Sequence, residues 1–160
     1  MDQLIVLSVL SGTFAAVAIG LGIAGLAPLV WVLCAVGGVI LARLSYLAAV
    51  APVLPRLHAL AHVTGGGIPG NLVRVLPAGC EAVVEARGWS WPPLFRVLMR
   101  AGEVSLGEMR RVFNLGVGMI AVAARDDAEA VIAAARRSGL DAWVIGEVRA
   151  GTRGVKFAER

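Results

Sequence analysis

Charge is missing from the start of this chain. Between Gln3 and Ala42 there is no Asp, Glu, Lys, Arg or His. Every basic residue, and every acid except Asp2, follows from Arg43 onward, so the net charge of +4 belongs to the second part. Lysine is nearly absent, with Lys156 the single example. The arginines are scattered among nearly as many acids, with few exposed-looking aromatics beside them. That excludes a basic stripe for nucleic acid and leaves anionic small molecules as partners. Cysteine is scarce as well. Cys34 lies in the apolar run and Cys80 before an expected strand, which excludes a disulfide framework and a zinc signature. A reducing compartment for the second part is the default. No catalytic triad, paired-carboxylate site or phosphate-binding Walker loop can be assembled, because the one glycine-rich stretch has no following Lys-Ser/Thr.

What fills the uncharged start is Leu, Val, Ile, Ala and Gly over Leu4–Ala42, about twice the roughly 20 apolar residues that span a bilayer. Gly20-Leu21-Gly22 and Gly25-Leu26-Ala27-Pro28 interrupt it near the middle. The expectation is an apolar unit over 1–47, a transmembrane helical hairpin with helices near Leu4–Gly22 and Pro28–Leu47. Arg43 and Arg56 then place the downstream part on the cytoplasmic side, in a membrane localisation. Met-Asp-Gln lacks the positive start of a signal peptide. Two alternatives are a truncated or rearranged N-terminus on a cytoplasmic domain and a buried helical pair.

At 160 residues the chain is one domain or a small two-part protein. Pro52 and Pro55 forbid a long helix after Tyr46. Ala59–Thr64 reads as a short strand running into Gly65-Gly66-Gly67. Three glycines in a row are costly to order and suit a sharp turn or a close approach of backbone to ligand. Asn71–Leu76 reads as a helical turn and Cys80–Ala86 as an amphipathic strand. Leu94–Arg100 is an expected helix with proline at its start and Gly102 as its stop. Ser105 and Glu108 form a capping box for Leu106–Val112. Gly118–Ala123 reads as a buried strand, and Ala128–Arg137 as a helix capped by Asp126, with Ala128, Val131, Ile132 and Ala135 on one face. Ala142–Val148 and Val155–Phe157 are the last strands. This order predicts an α+β domain over 48–160, a mainly antiparallel sheet with helices on one side. His62 and His58 have no partners at metal-ligand spacing, so no metal site is expected.

The motifs resemble a known family. HVTGGGIPGNLVRVLP (His62–Pro77), WPPLFRVLMRAG (Trp91–Gly102), GEMRRVFN (Gly107–Asn114), FNLGVGM (Phe113–Met119) and AWVIGEV (Ala142–Val148) stand in the order and spacing of the C-terminal domain of aminoimidazole ribonucleotide synthetase, the phosphoribosylformylglycinamidine cyclo-ligase of purine biosynthesis. The resemblance covers about Val53–Phe157. It implies a fold shared with selenophosphate synthetase, thiamine monophosphate kinase and a hydrogenase maturation protein, in homodimers. It also implies ATP and magnesium as cofactors and a phosphoribosyl substrate, with phosphorylation of a formyl oxygen followed by ring closure.

In that family the ATP- and magnesium-handling residues lie largely in an N-terminal domain, whose place the apolar segment takes here. The expectation is therefore a cyclo-ligase by descent that is truncated and inactive alone. The alternatives are a membrane-anchored, non-catalytic module for a purine intermediate or phosphate, and an unstable remnant lacking its partner domain. The resemblance implies a substrate cleft at His62, Thr64, Gly65, Gly66, Gly67, Asn71, Asn114 and Gly116, with glycine N–H groups offered to phosphate oxygens.

Overall fold

The computed structural model describes residues 2–8 and 44–158. Their core is a six-stranded sheet. The strands are β1 (Asp2–Ser8), β2 (Leu57–His62), β3 (Cys80–Glu85), β4 (Met119–Ala124), β5 (Asp141–Ala150) and β6 (Gly154–Ala158), in the order β2-β4-β1-β5-β3-β6. All pairings are antiparallel except β3 with β6. The helices are α1 (Gly67–Leu72), α2 (Pro93–Ala101), α3 (Leu106–Val112) and α4 (Ala128–Arg137). Residues 44–50 are also helical and pass into a 3-10 turn, Ala51–Arg56, that contains Pro55. The α+β reading with a mainly antiparallel sheet therefore holds.

The sheet is built around the strand that sequence periodicity conceals. β1 pairs with β4 on one side, Leu4 opposite Val122 and Val6 opposite Ile120. It pairs with β5 on the other, Leu4 opposite Gly146 and Leu7 opposite Ala142. Its side chains alternate between two apolar clusters. Leu4 and Val6 join Ile68, Leu72, Ile120 and Ile145. Ile5 and Leu7 join Val53, Ala121, Val131 and Ala135 beneath α4. All of Leu4–Leu7 are at most 1% exposed. A strand covered on both faces reads as an unbroken apolar run, and each such side chain contributes roughly 1.5–3 kcal/mol by burial.

The expected membrane anchor through residues 4–47 is thereby corrected. Its first stretch, Leu4–Leu7, is central strand, not helix. Among the described residues no helix is long and apolar enough to cross a membrane. A run buried on both faces of a sheet and a run buried in lipid share one composition, which is why the sequence alone misassigned it. The membrane localisation and membrane partner built on that anchor fall with it. Residues 9–43 of the expected hairpin lie outside the described residues, and its last four, 44–47, belong to the helical stretch 44–50.

Local signals explain most of the other elements. Pro93 opens α2 and Gly102 closes it. Ser105 Oγ accepts a hydrogen bond from the Glu108 backbone N–H at 3.2 Å, as the capping box requires. The Asp126 cap of α4 is not formed. A 3-10 turn, Arg125–Asp127, precedes the helix, and Asp127 occupies the cap position without a capping side-chain bond. Asp127 instead pairs with Arg56 at 2.9 Å, tying the 3-10 turn before β2 to the start of α4.

Candidate functional site

β2 ends at His62, opposite Met119 at the start of β4. Beyond this pair, the Val63 N–H donates to Gly118 O at 2.9 Å. The triglycine loop after β2 and the turn before β4 are thus held side by side at one end of the sheet. Of the eight residues expected in a cleft, His62 ends β2, Thr64, Gly65 and Gly66 lie in the loop, Gly67 and Asn71 in α1, and Asn114 and Gly116 in the turn before β4.

The triglycine loop is ordered by its own chain. Gly66 and Gly67 have φ of 94° and 59°, the left-handed region that glycine occupies without penalty. A Cβ on Gly67 would sit 2.1 Å from Arg110 O and 3.0 Å from Phe113 O, so the third glycine lets the start of α1 lie against the end of α3. Gly67 also opens α1, several residues before the helical turn expected at Asn71; Pro69 is tolerated because it lies in the first turn. Gly67 N–H donates to Thr64 O at 3.2 Å. That hydrogen is spent inside the turn, which narrows the expected set of phosphate-facing N–H groups. Thr64, Gly65 and Gly66 are exposed, and a Cβ on Gly65 would meet nothing within 4 Å.

Asn71 fixes the loop from below. It is 7% exposed, and its Nδ2 donates to Gly67 O at 2.8 Å and to Gly65 O at 3.2 Å. A buried amide with both hydrogens on loop carbonyls is a positioning group. His62 stands exposed at the strand end. His58, given no site role, donates from Nδ1 to Asp2 Oδ2, 2.9 Å away, bridging the starts of β1 and β2.

The second segment is a tight turn. Asn114 Oδ1 accepts from Gly116 N–H at 3.2 Å, and Asn114 O accepts from Val117 N–H at 2.9 Å. Gly116 has φ 91°, and a Cβ there would meet Pro92 Cδ at 2.7 Å. Leu115 adopts φ 53° while fully buried, a left-handed conformation that costs a branched residue roughly 1–2 kcal/mol. Trp89 Nε1 donates to Leu115 O at 2.9 Å and helps to hold it. Phe95 packs on Phe113 with ring centroids 5.9 Å apart, anchoring α2 to the same turn.

One polar cluster escaped the sequence reading. Glu81 on β3 is 4% exposed, accepts from Arg149 on β5 at 2.7 Å, and pairs with Lys156 on β6. Hydrogen bonding from Lys156, then from Arg149, holds its carboxyl below the usual carboxylate range against the opposing effect of burial. Only the register of the strands brings these residues together. The arrangement ties three strands and offers no open coordination position. Among the described residues no group of three His, Cys, Asp or Glu side chains converges as a metal site. A protein cage for the magnesium that the family resemblance implies is not assembled among the described residues.

A mainly antiparallel α+β sheet ending in an Asn-clamped glycine turn defines the class of domain. The chain belongs to the AIR synthase related protein, C-terminal domain family, whose model matches residues 9–158. That match begins within the apolar stretch. The chain is 48% identical over 103 residues to a phosphoribosylformylglycinamidine cyclo-ligase of Anaeromyxobacter dehalogenans strain 2CP-C, covering 64% of this chain and 30% of that protein. The cyclo-ligase of Anaeromyxobacter sp. strain Fw109-5 is 48% identical over 96 residues, covering 60% of this chain and 28% of its length. The chain thus spans about a third of the curated relatives it matches. Among solved structures, the fold resembles thiamine-monophosphate kinase of Stenotrophomonas maltophilia (TM-score 0.53, 20% identity, 98% of this chain and 49% of that one). It also resembles a hydrogenase maturation protein of E. coli (TM-score 0.56, 22% identity, 99% and 46%).

Proposed function

We propose that this domain is a binding module for a phosphorylated intermediate of purine synthesis, and that by itself it does not close the imidazole ring. The observation that carries the reading is the Asn71 clamp, which holds Gly65 and Gly67 by their carbonyls and leaves Thr64–Gly66 exposed beside the Asn114 turn. Backbone amides in such a turn complement phosphate oxygens, and Thr64, His62 and Asn114 are the polar residues of the neighbouring backbone that would flank a bound phosphate. The ligand class comes from the relatives, which are named as phosphoribosylformylglycinamidine cyclo-ligases. Binding without turnover follows from chemistry. Phosphoryl transfer needs concentrated charge neutralisation by metal or several cations, and the described residues assemble no carboxylate cluster to hold that metal.

Calorimetric titration of the full chain with formylglycinamidine ribonucleotide tests the proposal. Saturable binding that weakens about tenfold in Asn71→Ala is expected, the loss of roughly 1.4 kcal/mol. Binding indifferent to Asn71, or no heat at millimolar ligand, would overturn it.

A further inference from the structure

An open concavity of about 380 Å³ lies between the end of β3 and α2, and its lining includes Arg87, Trp89, Trp91, Arg96, Met99 and Arg100. Arg96 and Arg100 are one helical turn apart on α2, so their side chains rise from the same face; Arg87 approaches from the turn after β3. These three arginines form no ion pair and no ring contact among the described residues. Other arginines do find partners: Arg56 on Asp127, Arg111 on Glu108, Arg149 on Glu81, and Arg153 on the carbonyls of Val73 and Arg74. No acidic residue lines the concavity. Three like charges gathered without a counter-charge repel one another, and an anion in their midst removes that cost.

The other wall is aromatic, and one of its two indoles is anchored. Trp89 and Trp91 are half-buried. Trp89 is anchored by its Nε1 bond to Leu115 O. The backbone that presents them is pinned by Ala86 N–H to Ala158 O at 2.8 Å and by Gly88 N–H to Glu85 O at 3.0 Å. Guanidinium groups recognise phosphate with paired N–H donors, and indole faces stack on flat aromatic rings.

We propose that this concavity binds a mononucleotide, with the base against the Trp89–Trp91 wall and the phosphate among Arg87, Arg96 and Arg100. The proposal does not rest on the reading of the triglycine end. Two of the chain's four tryptophans line the concavity, so binding reports itself in intrinsic fluorescence.

The full chain is titrated with AMP, adenosine, ribose 5-phosphate and a short oligo(dA), and compared with the R96Q/R100Q double variant and with Arg100→Gln alone. Both arginines are exposed, and an unchanged melting temperature verifies that each variant is folded. Saturable quenching by AMP is expected, weakened about tenfold in the double variant and less in the single one. Adenosine and ribose 5-phosphate, each carrying half the recognition, bind more weakly than AMP. Quenching by AMP that is unchanged in the double variant overturns the proposal, as does no saturable change up to about 10 mM AMP, a concentration at which even weak sites fill. Tighter binding of oligo(dA) than of AMP overturns the mononucleotide assignment in favour of single-stranded nucleic acid.

Discussion

The side-chain amide of Asn71 lies 2.8 Å from the carbonyl oxygen of Gly67, four residues back along the same turn. This bond joins the polar residue of α1 to the glycine that opens the helix. A second bond from the same nitrogen reaches Gly65 O. Asn71→Ala leaves loop carbonyls without that donor and is expected to cost roughly 1–3 kcal/mol, read as a lowered urea midpoint with unchanged slope. Asn71→Asp keeps the shape but turns a donor into a charged acceptor facing two carbonyls. It is expected to destabilise more than alanine at pH 7. An aspartate variant as stable as wild type would contradict the assigned roles.

The two outer residues of the triglycine should differ sharply. Gly67→Ala drives a Cβ into the backbone of Arg110 at a positive φ and is expected to cost more than about 2 kcal/mol. Gly65→Ala meets nothing within 4 Å and should stay within about 0.5 kcal/mol of wild type. Paired denaturation curves check this. Equal effects at both positions would mean that the close approach of α1 to α3 is not what selects glycine.

Glu81 gives the stability a pH signature. Its folded pKa is depressed below the ordinary value of 4.5 by Lys156 and then Arg149. A depressed carboxylate contributes stability that is fully present above its unfolded pKa and is lost as pH falls through the folded pKa. The stability gap between wild type and Glu81→Gln is therefore expected to be greatest near neutrality and to narrow below about pH 4.3. A gap that widens on acidification would contradict the ion-paired cluster.

The strand assignment of the N-terminus is testable directly. In native-state hydrogen exchange, the amides of Leu4–Leu7 should be among the slowest, since β1 is hydrogen-bonded on both edges. Ile5→Ala should cost roughly 2–5 kcal/mol, as for a fully buried aliphatic. Fast exchange at Ile5 and Val6 would remove β1 from the centre of the sheet.

Much of this architecture is legible without coordinates where one residue carries a local rule. Pro93 and Gly102 bracket α2, the Ser105–Glu108 box starts α3, and the imperfect alternation at Cys80–Ala86 points to β3. What escapes is information held between distant residues. Leu4–Leu7 lacks alternation because both faces of β1 are covered, so a central strand and a membrane segment look alike. The Glu81 cluster depends on a register joining residues 68 positions apart. The triglycine was readable as a sharp turn, but its close approach is to Arg110 and Phe113 of the same chain, which no local pattern encodes. Asp126 satisfied the local rule for a cap, yet the chain enters α4 through a 3-10 turn instead.

The central claim is that the domain holds a phosphorylated purine intermediate without turning it over. Phosphorus NMR of the full chain with formylglycinamidine ribonucleotide, ATP and magnesium tests both halves in one sample. The account predicts a shifted or broadened monophosphate resonance and no growth of inorganic phosphate. Steady release of inorganic phosphate with ring closure, or a monophosphate line identical to that of free ligand, would contradict it.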